Sequence, residues 1–350
     1  MTGNLSSALA ECDAALIATP TSELREVLGR VRASRFEQPV VWACKGFERA
    51  SGKLAHQVAA DVLGKLAACG ALSGPSFALE VAQGLPTALT LAAGDAEVAK
   101  RFARELHQPT LRVYFSTDLV GVEISGAVKN VMAIAAGISD GLGLGMNARA
   151  ALITRGLAEL TRLGVALGGR PETFMGLAGA GDLILTCTGE LSRNRRVGLH
   201  LARGDSLEAI LERLGHVAEG VYSAPSIEAL AAEKRIDMPI TRAVCAVLFR
   251  GTPPRDAVQE LLARDPREEA QAAVVTKTIT GSPAARSEIQ KSQPSRQPRC
   301  QYRNPPRRQR RCQREPPLHR QLRRARCRRI RSTAGRLCPS VKSAFLGFSH

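Results

Sequence analysis

The stretch VGVEISGAVKNVMAIAAGI, residues 120–138, is nearly all apolar and rich in Ala and Gly, which predicts a long helix buried on every side. It divides the chain into two patterns. Upstream, short apolar runs at 14–18, 40–44, 68–72, 87–92 and 111–115 read as strands. Helices are expected between them over 23–31, with Ser22 as cap, and over 96–107. Strands that are apolar throughout belong to a parallel sheet covered on both faces. Downstream, only helical stretches follow, at 147–167, 171–175, 192–203, 206–214, 223–234, 240–249 and 253–262. The expectation is an α/β half followed by an all-helical half, with no internal repeat.

The formal charge of +17 suggests at first a nucleic-acid binder, but it is not spread over the chain. Residues 281–350 hold 19 of the 49 Lys and Arg and only 2 of the 32 Asp and Glu, so residues 1–280 are neutral. The segment 266–350 is rich in Arg, Pro, Gln and Ser without apolar periodicity and is read as a disordered basic tail. One reading of it is an arm that binds nucleic acid non-specifically. The favoured one is the product of a shifted reading frame in a GC-rich gene, since no interleaved aromatics support the first. No apolar run reaches the length of a membrane span, and the first residues show no secretory pattern. The nine Cys have no CxxC spacing, so neither zinc nor any other metal is expected, and reduced thiols in the cytoplasm are.

Several polar residues stand out against this background. Lys129 lies inside the apolar helix, where a lone amine is costly unless it reaches solvent or serves a site. A Lys with a lowered pKa there would be a general acid or base. Asp182 follows Gly179-Ala180-Gly181 and reads either as a turn residue or as a site carboxylate. Ser192-Arg193-Asn194 opens a helix, giving an N-cap and a solvated basic run, or an anion site. Lys45 ends a strand, where doubly wound sheets place ligands. Neither Gly141-x-Gly143-x-Gly145 nor Gly179-Ala180-Gly181 has the setting of a phosphate-cradling GxGxxG turn.

Taken in order, Cys44-Lys45-Gly46, Ser73-Gly74-Pro75-Ser76-Phe77, Gly126-Ala127-Val128-Lys129-Asn130, Leu152-Ile153-Thr154-Arg155-Gly156, Asp182 with Ser192-Arg193-Asn194-Arg195-Arg196, and Val217-Ala218-Glu219-Gly220 resemble the bacterial-type NAD(P)-dependent glycerol-3-phosphate dehydrogenases. The resemblance covers about residues 10–265. It implies a partial doubly wound (Rossmann-type) parallel sheet over 1–118 and an all-α substrate and catalytic domain over 119–265. It implies an oxidoreductase interconverting dihydroxyacetone phosphate and sn-glycerol 3-phosphate with NAD or NADP, feeding glycerophospholipid synthesis. Lys129 becomes the proton donor and acceptor. Lys45, Gly74, Ser76, Lys129, Asp182, Ser192, Arg193 and Asn194 become substrate contacts. Lys45, Ala78, Arg193, Val217 and Glu219 become cofactor contacts. Asn130 and Thr154 are neighbours of the site that helix packing explains equally well.

Members of that family begin with a strand, a GxGxxG turn and a helix, then at least one more βα unit. Those roughly 65 residues have no counterpart here by alignment with the family's pattern. Two expectations follow: a bare hydrophobic sheet edge, and weak or no binding of NAD(P)H. The choice between NAD and NADP is not readable, and a homodimer is compatible with the sequence. Two alternatives stand beside the main reading. One is a related 2-dehydropantoate or 6-phosphogluconate dehydrogenase. The other is an inactive dehydrogenase fragment whose tail binds nucleic acid.

Overall fold

The structure is a computed structural model that describes residues 4–64, 68–214, 218–266 and 343–346. The first half runs α1 (Leu5–Leu9), β1 (Ala14–Ile17), α2 (Leu24–Ala33), β2 (Val40–Trp42), α3 (Ala55–Leu63), β3 (Cys69–Ser73), α4 (Ala78–Ala82), β4 (Thr87–Ala93), α5 (Ala96–Leu106) and β5 (Leu111–Ser116). The helical half follows with α6 (Leu119–Gly141), α7 (Gly145–Ala166), α8 (Pro171–Met175), α9 (Asp182–Thr188), α10 (Arg193–Leu201), α11 (Leu207–Arg213), α12 (Glu219–Glu233), α13 (Pro239–Phe249) and α14 (Pro254–Leu262). A last strand, β6 (Ser343–Leu346), returns to the sheet. Both halves belong to one compact unit, Met1–Val275 with Cys338–His350, and the unit Thr276–Leu337 lies outside the described residues.

The sheet has the order β5-β4-β3-β2-β1-β6. It departs from the all-parallel expectation at one place, because β4 runs antiparallel to β3. The link between them holds only the five-residue α4, not the full crossover helix that a parallel neighbour needs. The edge expected to be bare is covered as well. Residues 343–346, placed by the sequence reading in an unstructured tail, pair in parallel with β1. The remainder of that tail, and its expected disorder, lie outside the described residues. Ser22 does not cap a helix; it sits in a short 3-10 turn, Thr21–Glu23, that leads into α2 without a side-chain cap. Helix α12 starts four residues before the predicted Ser223, which takes Glu219 into its first turn.

Helix α6 organises the molecule. By length and composition alone it could cross a membrane, but 83% of its most apolar window is buried inside the protein. Asp118 caps it, accepting from the Gly121 N–H at 2.9 Å and from the Arg170 N–H at 2.8 Å. Ile124, Val128, Met132 and Ile134 are fully buried, each contributing about 1.5–3 kcal/mol over an exposed position. On one side α10 lies backbone against backbone. A Cβ on Gly137 would overlap the Arg195 carbonyl, and one on Gly198 would overlap the Ile134 carbonyl. On the sheet side, the buried Glu123 carboxylate accepts from Trp42 Nε1 at 2.9 Å and from the His56 N–H at 3.0 Å. It also pairs with His56 Nδ1. Burial alone would lower the His56 pKa, but Glu123 reverses this and raises it.

Candidate active site

Lys129 lies midway along α6 and is 6% exposed. Its amine does not reach bulk water. Nζ donates to Asp182 Oδ1 at 2.5 Å and to Thr186 Oγ1 at 3.1 Å. Asp182 is 1% exposed and uses its other oxygen, Oδ2, to accept from Lys45 Nζ at 2.6 Å. Lys45 reaches it from the loop after β2, and also donates to the Gly74 carbonyl at 3.3 Å. Its stem packs on Gly126 of α6, where a Cβ would come within 3.2 Å of Lys45 Cγ. Three segments far apart in sequence thus place two amines on one buried carboxylate.

The electrostatics follow from this arrangement. Burial disfavours the ammonium of Lys129 and Lys45 repels it, and together they outweigh the attraction of Asp182. The Lys129 pKa is lowered from 10.5 to about 8. Burial acts to raise the Asp182 pKa, but the two amines overcome it and hold the carboxyl below its ordinary range. The result is a proton that leaves and returns near neutral pH, beside a carboxylate that stays charged.

The glycine-flanked position of Asp182 is helical and not a turn. Leu177–Gly181 form one wide helical turn that runs straight into α9. Gly179 is required by packing, since a Cβ there would overlap the Phe174 carbonyl. Asp182 and Thr186 therefore share one helix face, four residues apart. Thr186 is missed in the sequence because a turn at Asp182 hides the helical spacing between the two residues. Its hydroxyl is held at 2.6 Å from the Asp182 carbonyl.

The start of α10 stands near this cluster because Gly137 and Gly198 let the helix approach α6. Ser192 caps it, its Oγ accepting from the Arg195 N–H at 3.2 Å. Arg193 is exposed at the first helical position. Asn194 is turned inward: its Nδ2 donates to Asn130 Oδ1 and its Oδ1 accepts from the Gly220 N–H, both at 3.0 Å. It ties α6, α10 and α12 together, and Asn130 is its partner. Arg195 pairs with Asp140.

The other expected positions fall as follows. Gly74 is buried with φ +137°, and the Ser76 hydroxyl donates to its carbonyl at 3.0 Å. Ala78 is exposed at the start of α4. Glu219 opens α12, and its Oε1 accepts from both the N–H and the hydroxyl of Thr21, each at 3.2 Å. Burial raises its pKa against the opposing pull of these bonds, Lys129 and Lys45. The sequence reading missed Thr21, whose partner lies 198 residues away. Thr154 is exposed on α7 and donates to its own helix at the Ala150 carbonyl. Val217 lies outside the described residues. A separate apolar cavity of about 810 Å³ between α7, α13 and α14 is lined by Leu152, Val244 and Leu261.

Comparison with known proteins agrees with this fold. The model of the N-terminus of NAD-dependent glycerol-3-phosphate dehydrogenase matches residues 1–99, and that of its C-terminus matches residues 118–259. A glycerol-3-phosphate dehydrogenase (NAD(P)+) of Dechloromonas aromatica is 61% identical over 262 residues, covering 75% of this chain and 80% of the relative. One of Nitrosospira multiformis is 60% identical over 269 residues, covering 77% and 81%. The crystal structure of glycerol-3-phosphate dehydrogenase from Coxiella burnetii superposes with a TM-score of 0.71 at 44% identity, covering 75% of this chain and 80% of that one. With both halves matched and such identities over three quarters of its length, the chain belongs to the NAD-dependent glycerol-3-phosphate dehydrogenase family.

Proposed function

We propose that this chain interconverts dihydroxyacetone phosphate and sn-glycerol 3-phosphate, with Lys129 as the general acid and base. The observation that carries this is the buried Lys129 amine, pKa about 8, held at 2.5 Å from Asp182. In the direction of reduction, the Lys129 ammonium gives its proton to the carbonyl oxygen of dihydroxyacetone phosphate. In the reverse direction, the neutral amine takes the proton from the C2 hydroxyl. Asp182 fixes the amine and stays ionised. Lys45 adds a second positive charge, which stabilises the developing alkoxide. The N-terminus of α10, with Arg193, supplies free N–H groups and a guanidinium for the phosphate.

NAD or NADP supplies or accepts the hydride when bound. The donor set fits the redox end of that cofactor: Lys45 and Arg193 provide cations, Glu219 a carboxylate, and Ala78 a small exposed wall. Among the described residues no group of His, Cys, Asp and Glu could hold a metal ion. The sequence carries no strand–GxGxxG–helix turn for the pyrophosphate. We place this activity in the cytoplasm, a reading supported by the five free thiols of the described residues.

The test is NADH oxidation with dihydroxyacetone phosphate by the full chain and by Lys129→Met. A variant that keeps the wild-type rate would sink the assignment.

A further inference from the structure

Strand β1 reads AALI, and Ala14, Ala15 and Ile17 are buried. A run of this kind belongs in the interior of a parallel sheet, with a neighbour on each side. On one side stands β2, in register from Ala15↔Val40 to Ile17↔Trp42. The other side presents N–H and C=O groups that have no helix or side chain to satisfy them, a template for an added strand. Residues 343–346 lie along it, in parallel register from Ala14↔Ser343 to Ile17↔Leu346, so that β1 is paired over its whole length.

The slot matters for the site because of where β1 leads. Its carboxyl end runs through Thr19 and Pro20 into Thr21, whose N–H and hydroxyl hold Glu219. A strand seated against β1 therefore buttresses the loop that joins the sheet to the start of α12.

We infer that the outer edge of β1 is a strand-acceptor site and that its occupant is the chain's own C-terminal segment Ser343–Leu346, added in cis by parallel β-augmentation. Recognition is through main-chain hydrogen bonds, so any apolar extended segment presented in parallel competes for it. Residues 343–346 are thereby a structural part of the α/β half although they stand some 80 residues beyond α14 in sequence.

Hydrogen–deuterium exchange of the full chain tests this without reference to catalysis. The amides of 343–346 that point to β1 are expected to exchange at least tenfold more slowly than their intrinsic rates. Exchange of these amides at the rate of an unfolded peptide overturns the proposal. A second arm uses the full-length double variant Ala344→Pro with Phe345→Pro. Adjacent strand residues direct their amides to opposite sides, so one of the two prolines removes a ladder donor. Exchange at Ala14 and Leu16, whose amides face β6 while that of Ala15 donates to Pro39, is expected to rise at least tenfold in this variant, with α6 unchanged, and to slow again when a synthetic peptide of residues 341–350 is added. Unaltered exchange at Ala14 and Leu16 in the variant overturns the proposal.

Discussion

Lys45 and Lys129 grip opposite oxygens of a single carboxylate, at 2.6 and 2.5 Å. Two ammonium groups against one buried Asp182 leave the site with a surplus of positive charge before any substrate arrives. A phosphorylated substrate that develops an oxyanion neutralises this surplus. Replacing Asp182 by Asn leaves the two amines facing a neutral amide. The variant is expected to lose about 3 kcal/mol of stability, as when one partner is removed from a buried ion pair, and to lose activity with it. Urea unfolding followed by circular dichroism measures the first, and NADH oxidation the second.

Lys129→Met keeps the length of the side chain and removes the amine, while Lys45 still satisfies Asp182. Stability is expected to stay near wild type. The rate constant kcat is expected to fall by about 10²–10⁴, the range for losing a positioned proton donor, with KM changed far less. Steady-state kinetics in both directions distinguish this from a folding defect.

The lowered pKa of Lys129 fixes the pH behaviour. Reduction of dihydroxyacetone phosphate needs the ammonium and is expected to fall as pH rises through about 8, while oxidation of glycerol 3-phosphate needs the amine and rises through the same value. The effect on folding has the opposite sense to that of a Lys with a raised pKa. Between about pH 8 and 10.5 the unfolded chain keeps a proton that the folded chain has released, so this group's contribution to stability grows with pH across that window. A rate profile in each direction, with denaturation midpoints at pH 7.5 and 9.5 for wild type and Lys129→Met, checks both statements.

Gly137→Ala puts a methyl group where the Arg195 carbonyl lies. Helix α10 must then move off α6, and it takes Ser192, Arg193 and Asn194 away from Lys129. The expected cost is about 1–3 kcal/mol, the usual range for overpacking, with a rise in KM for the phosphorylated substrate. Gly143→Ala is the control: its φ of +70° gives modest strain, but a Cβ there meets nothing within 4 Å. A KM unchanged in Gly137→Ala contradicts the role given to this contact.

Much of this was legible in the sequence because it was local. The apolar run around Lys129 announces both a buried helix and the one amine in it that must be explained. The strand and helix alternation before it reflects the covered faces of the sheet. What stayed hidden depends on distant segments or on packing. Gly179-Ala180-Gly181 looked like a loop because glycine usually marks one, whereas here it is needed for Phe174 to press against a helical turn. That misreading concealed the helical spacing that joins Asp182 to Thr186. Thr21 gains its role only when Glu219 folds against it. Asn194 gains its packing role, tying Asn130 of α6 to Gly220 of α12, only when three distant segments meet. Strand β6 falls on a short apolar run, AFLGF at 344–348, which is too brief to stand out behind the Arg- and Pro-rich sequence that precedes it.

The buried indole of Trp42, bonded to Glu123, has a practical use. It is the protein's sole tryptophan, and it touches α6 at the seam between the sheet and the helices. Its emission, excited at the red edge of the absorption band, is a native optical probe of whether that seam is closed. Unfolding or ligation that disturbs the seam will register as a spectral shift from one defined place, with no label attached.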